Sequence, residues 1–163
     1  MAAAEQDRRA WRPKSAGGAR LTGGAATGET DLRALLAGMR PTLDPETYVF
    51  ATSDNPALVA AALATMREAE GLSLIVPLGI ADRAGVRYEF PCRRITLQVH
   101  SALDAVGFLA AIVPKLAAMG MGVNPVAGFL HDHHLVPADR ADAALEALEA
   151  LTRESGGGAS TRE

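Results

Sequence analysis

The sequence predicts an α+β protein of two similar units, about sixty residues each, with helices on one face of antiparallel sheets. Three observations predict it. Segments rich in β-branched residues, or alternating apolar and polar, recur beside segments with apolar residues at helical spacing. Their order is helix, then strand–helix–strand–helix–strand, then strand–helix–strand–strand–helix, so one pattern runs nearly twice. Hydrophobic residues make up 48% of the chain but aromatic residues only 4%, so the core must be Ala, Val and Leu, which suits helices lying close on a sheet. A unit this short cannot cover its own sheet. The sheets must therefore pair side by side, within the chain or between chains.

The elements follow in order. TGETDLRALLAGM opens on Thr27 or Thr30 as N-cap, places Leu32, Leu35, Leu36 and Met39 at helical spacing, and ends before Pro41. TYVFAT, residues 47–52, is β-branched and aromatic, hence a strand. Asp54 or Asn55 caps a helix running to about Glu70, with Leu58, Ala62, Leu63 and Met66 on one face and Gly71 as its stop. LSLIVP, residues 72–77, reads as a buried strand, and a short helix from Gly79 to Ala84 leads into Gly85. VRYEF enters the second unit. RRITLQVH, residues 93–100, alternates, with Ile95, Leu97 and Val99 on one face and Thr96, Gln98 and His100 on the other. A helix is expected from about Ala102 to Met119, a turn at Gly120 and Gly122, and a hairpin of strands 122–129 and 130–136. Pro137 and Asp139 open a last helix striped by Leu145, Leu148 and Leu151.

Outside these units, residues 1–28 form a basic leader rich in Gly and Ala that reads as disordered, and residues 154–163 a similar tail. The division expected is thus leader 1–28, N-terminal domain 29–91, C-terminal domain 92–153 and tail 154–163. A net charge of −3 argues against general nucleic-acid binding. The apolar run from Ala105 to Leu130 is interrupted by Pro114, Lys115, Gly120, Gly122 and Pro125, so no membrane span is expected. Cys92 is alone, which fits a reducing cytoplasm. Beside Arg93 and Arg94 its thiol is a candidate for a lowered pKa, with a structural or incidental thiol as the favoured alternative, while that arginine pair reads as a solvated strand start.

All four histidines fall in two segments, VHSALDAVG at 99–107 and HDHHLVP at 131–137. In the first a strand runs into a helix, and helix starts offer unpaired N–H groups and partial positive charge to an anion. The backbone amides of Ala102, Leu103 and Asp104 are expected to receive a ligand carboxylate. Ser101 is the N-cap, His100 lines the pocket and Gly107 permits close approach. Asp132 and His133 are expected at the ligand or an interface, and Asn124 to read polar groups of the ligand. His131 and His133 share a strand face, a possible half of a metal site that His100 would complete only if the strands are neighbours. No catalytic constellation emerges: His100 and Ser101 are sequence neighbours, and no nucleophile elbow, P-loop or dinucleotide fingerprint is present.

YVFAT, EGLSLIVP, ITLQVHSALDAVG and VNPVAGFLHDHHLVP, followed by ADRADAAL, resemble bacterial proteins of two tandem ACT domains over about residues 29–152. That family shows an ITLxVHSSLxAVGL segment and a YYHDHLFVP segment. The resemblance implies two tandem ferredoxin-like βαββαβ units, side-by-side pairing as a homodimer and regulatory, non-enzymatic binding of a small ligand, usually an amino acid, with no cofactor. Four positions depart from it: Ala102 stands for a usual Ser, Phe129-Leu130 for Tyr-Tyr, and His134 for Leu.

Overall fold

The computed structural model describes residues 28–157. The expectations for residues 1–27 and 158–163 lie outside them. Helix α1 (Leu32–Gly38) precedes β1 (Pro41–Thr52), α2 (Pro56–Ala61), β2 (Ala64–Glu68), β3 (Gly71–Pro77), α3 (Leu78–Ala84) and β4 (Tyr88–Leu97). Then come α4 (Phe108–Ala118), β5 (Asn124–Ala127), β6 (Asp132–Pro137), a 3-10 turn at Ala138–Arg140 and α5 (Ala141–Gly156).

The expected α+β architecture holds, as one six-stranded sheet in the order β2-β3-β1-β4-β6-β5. All its pairs are antiparallel. The two units interlock. The first takes β1, β2 and β3 with β4 as its last strand; the second takes β4, β5 and β6 with β1 as its edge. Strands β1 and β4 therefore serve both units, which is why they are the longest, at 12 and 10 residues.

Alternation divides the sheet's two faces. Val49, Ala51, Leu74 and Val76 meet α2 and α3 through Leu58 and Ala81. Ile95, Leu97 and Val136 meet α1, α4 and α5 through Leu35, Ile112, Leu116 and Leu148. On the helix-free face Tyr48, Ile75, Cys92 and Leu135 form a core of their own. Ala64 of β2 and Val126 of β5 both pack on that core although they belong to opposite edges. The sheet is thus curled until its edges approach. Strand twist supplies the curl, and two irregularities in the β1–β4 register, between Leu43 and Thr47 and between Tyr48 and Phe50, accentuate it.

Several boundaries differ from expectation. The helix expected from Asn55 to Glu70 is the short α2 followed by an edge strand, β2. Asp31, not Thr27 or Thr30, caps α1, accepting from the Ala34 amide at 2.7 Å. Strand β1 begins at Pro41 rather than Thr47, and β4 at Tyr88, so β4 runs unbroken through position 91. Helix α4 starts six residues later than Ala102, at Phe108. Residues Glu154–Gly156 continue α5 instead of forming tail, held by Lys115 Nζ to Glu154 Oε2 at 2.6 Å.

Candidate ligand site at the start of helix α4

Beyond Leu97 the chain stops pairing as strand. The segment Gly28–Thr30 comes alongside instead: the Glu29 amide donates to the His100 carbonyl at 2.8 Å, and the Ala102 amide donates to the Glu29 carbonyl at 3.0 Å. Only glycine fits at position 28, since a Cβ there would lie 2.5 Å from the Ala102 nitrogen. The amide of Ala102, expected to hold a ligand, is therefore occupied by the protein's own backbone. Gly107, at φ +93°, turns the chain into α4 and carries no capping side chain. The Ala111 amide makes the first bond of the helix, to the Gly107 carbonyl at 3.0 Å, so the unpaired amides of this helix start are those of Phe108, Leu109 and Ala110.

Beside these amides lies a cavity of about 370 Å³ lined by Ser101, Ala102, Leu103, Ala105, Gly107, Phe108, Leu109, Ala110, Ala127 and Asp132. Ser101, expected as an N-cap, instead donates its hydroxyl to Asp132 Oδ2 at 2.8 Å, and so ties the loop to the first residue of β6. The cavity thus combines a helix start, electropositive by its dipole, with the Asp132 carboxylate in one lining.

Of the residues expected at a site, Ser101, Ala102, Leu103, Gly107 and Asp132 come together here. His100 and Asp104 are not among the lining residues. Asn124 and His133 lie across the sheet, on its helix-free face, where His133 Nδ1 meets Thr96 Oγ1 at 2.9 Å. Ala105, Phe108, Leu109, Ala110 and Ala127 were not anticipated. Gly107 was the available signal, because a positive-φ glycine starts the helix after itself rather than five residues before.

The histidines disperse. His131 Nδ1 donates to the Val99 carbonyl at 3.0 Å. His133 faces the helix-free side, and His134, in register with Ile95, is fully buried toward the helices with neither ring nitrogen bonded among the described residues. Burial pushes His134 down to about 4. It also lowers His133, with the Arg94 charge adding to the effect. No three His, Cys, Asp or Glu side chains among the described residues converge as a metal site would need.

Burial decides for Cys92 as a structural thiol, and the reading of the arginine pair is corrected. Burial raises the Cys92 thiol to about 12, the reverse of activation, and its Sγ donates to the Tyr48 carbonyl at 3.3 Å. Arg93 and Arg94 lie inside β4, not at a solvated start. Arg94 Nη2 meets Asp44 Oδ2 at 2.5 Å, and Arg93 Nε donates to the Asp44 carbonyl at 3.0 Å. Burial pushes the Asp44 carboxyl up, but bonds from the Glu46 amide, Arg94 and Tyr48 outweigh it and hold the group below its ordinary range.

A family model described as an ACT domain matches residues 27–93, and a second ACT-domain model matches residues 89–150. The chain belongs to the ACT-domain family. The two matches overlap within β4, the strand that both ACT units use. A crystal structure from Vibrio cholerae, described as a protein of unknown function and possible transport protein, is 39% identical, with a TM-score of 0.67 over 74% of this chain and 95% of that one. A protein from Agobacterium tumefaciens shares the fold at 23% identity and TM-score 0.56, over 70% and 89% of the two chains. The ligand-free regulatory subunit of aspartate kinase from Thermus thermophilus shares it at 14% identity and TM-score 0.52, over 68% and 95%. No functionally curated protein matches. ACT domains are regulatory modules that bind small ligands, and this ACT protein shares that general role. Among the described residues no helix is long and apolar enough to cross a membrane.

Proposed function

We propose that this ACT protein is a non-enzymatic, cytoplasmic regulator that senses a free amino acid in the cavity at the start of α4. The observation that carries the reading is that Phe108–Ala110, at the helix start, and Asp132 line the same cavity. An amino acid is a zwitterion of matching polarity. Its carboxylate suits the helix start, and its ammonium suits Asp132, whose second oxygen is spared by the Ser101 bond. Apolar Leu103, Phe108 and Leu109 suit an uncharged side chain.

A second copy of the chain would complete the enclosure. Leu103 and Val106, on the loop before α4, are 70% and 85% exposed, and Phe129, on the β5–β6 turn, is 69% exposed. Apolar residues this open favour coverage by a partner. Regulation then follows from differential affinity: a ligand bound between copies stabilises the paired state.

Thermal unfolding with each of the twenty amino acids tests this, since a ligand that binds only the native state raises Tm. At least one uncharged amino acid should raise it, and Asp132→Asn should abolish the response while leaving the unliganded melt nearly unchanged. A full screen without any shift, or a response unaffected by Asp132→Asn, would sink the reading. Phe129→Glu should reduce dimerisation in sedimentation.

A further inference from the structure

We propose that the seam where β2 and β5 approach each other on the helix-free face is a second ligand site, taking a small carboxylic acid with an apolar body. It lies on the opposite side of the sheet from α4 and does not depend on the amino-acid reading.

The seam contains a cavity of about 260 Å³ whose walls are Leu63, Ala64, Ile75, Val126 and Leu135, with Arg94 and His133 as its ionisable residues. A neighbouring cavity of about 330 Å³ shares Ala64, Ile75 and Val126, so an apolar body can extend along the seam. A space of this size, below that of drug-sized pockets, suits a metabolite of few atoms. The polar end is made by Arg94 and His133. Arg94 places Nη2 on Asp44, while its buried Nε has no hydrogen-bond partner among the described residues. Such an orphaned donor calls for an acceptor. His133 has Nδ1 engaged by the Thr96 hydroxyl. When that hydroxyl donates, the ring proton sits on Nε2, which lies against Gly128: a Cβ there would be 3.2 Å from it.

The lining selects by charge as well as by size. Among the described residues no Asp or Glu lines the smaller cavity, so an ammonium finds no carboxylate partner there. Amino acids and amines are disfavoured, whereas a carboxylate accepts from Arg94 and His133 and its hydrocarbon meets the apolar walls.

Benzoate is a suitable probe, with benzylamine and benzyl alcohol as controls of equal bulk. Backbone amide NMR of the full chain at millimolar probe should show benzoate moving the signals of Ala127, Gly128 and His133, and benzylamine leaving them in place. Ala64→Leu, which fills the seam, and Arg94→Lys, which keeps the charge facing Asp44 but lacks the Nε donor, should each weaken benzoate by about tenfold or more. Should Ala64→Leu fail to fold, Val126→Phe fills the same seam and Arg94→Lys still reads the polar end. Asp132→Asn should leave benzoate binding intact, which separates this site from the α4 cavity. Three outcomes overturn the proposal: no shift with benzoate, equal shifts with benzylamine, or shifts confined to residues 101–110 and lost in Asp132→Asn.

Discussion

His134 sits where the resembling family has leucine, in register with Ile95 and fully buried. Two unbonded ring nitrogens in an apolar layer cost free energy that a leucine would not. His134→Leu should therefore stabilise the protein by about 1–3 kcal/mol at neutral pH, measured by urea unfolding. The same residue sets an acid response. Its folded pKa, about 4, lies below the value of 6.5 for a free imidazole, so between these pH values the unfolded chain binds the extra proton. Stability is complete above about pH 6.5 and falls as pH drops toward about 4, by roughly 3 kcal/mol for this group alone. His133, also lowered, acts in the same direction. Urea midpoints across that range should slope downward toward acid, and His134→Leu should flatten most of the slope. Gly107 carries the other residue-scale constraint. At φ +93°, with Leu32 Cδ2 3.4 Å from where a Cβ would stand, Gly107→Ala should cost about 1–2 kcal/mol in thermal unfolding and weaken any ligand at the α4 cavity.

Among the elements, those with a buried apolar face were legible in sequence, and those defined by pairing partners were not. Strand β3 has a contiguous buried run, and α5 a regular stripe, so both read correctly. Strand β2, ATMRE, is almost wholly exposed, and nothing local distinguishes it from the last turns of a helix; its ladder with β3, from Ala64↔Ile75 to Glu68↔Gly71, decides the matter. The start of α4 was misplaced for a related reason. Ser101 looks like a cap, but its hydroxyl is taken by Asp132, thirty-one residues away. Pro114 lies inside α4 as the sequence indicated, where it cannot bond the Ala110 carbonyl. Proline inside a helix costs about 3 kcal/mol, part of which the surroundings have absorbed. Pro114→Ala should accordingly raise stability by about 1 kcal/mol or more in urea unfolding. Protection from hydrogen exchange of the amide that Pro114→Ala introduces would mark the restored bond.

At the scale of the molecule, the sharing of β1 and β4 makes each ACT unit incomplete alone. β1 pairs with both β3 and β4, and β4 with both β1 and β6. A chain cut at the expected boundary, giving residues 92–157 alone, would lose part of β4 and all of β1, exposing the apolar edge that Ile95 and Leu97 line. We expect that fragment to be unfolded by circular dichroism. Residues 28–85 and 86–157 mixed together should regain the native spectrum, because that cut falls in the turn before β4 and spares every strand. A 92–157 fragment with a cooperative melt would contradict the shared-strand account.

Alternation and helical spacing in the sequence determined most element types and the repeated pattern, since these depend on which faces must be apolar, while the quoted motifs carried the resemblance to the ACT family. They also picked out the two segments, around Ser101 and around Asp132, that meet at the α4 cavity. Tertiary structure alone decided which of their atoms are free: the Gly28–Thr30 segment takes the Ala102 amide, Asp132 takes the Ser101 hydroxyl, and the open amides fall to Phe108–Ala110. It alone decided that His133 and Asn124 face away from that cavity and that the sheet curls into a seam. The physical reason is common to both. Apolar patterning is local, with a period of two or 3.6 residues, whereas the partner of a hydrogen-bonding group is chosen by whatever segment the fold brings beside it.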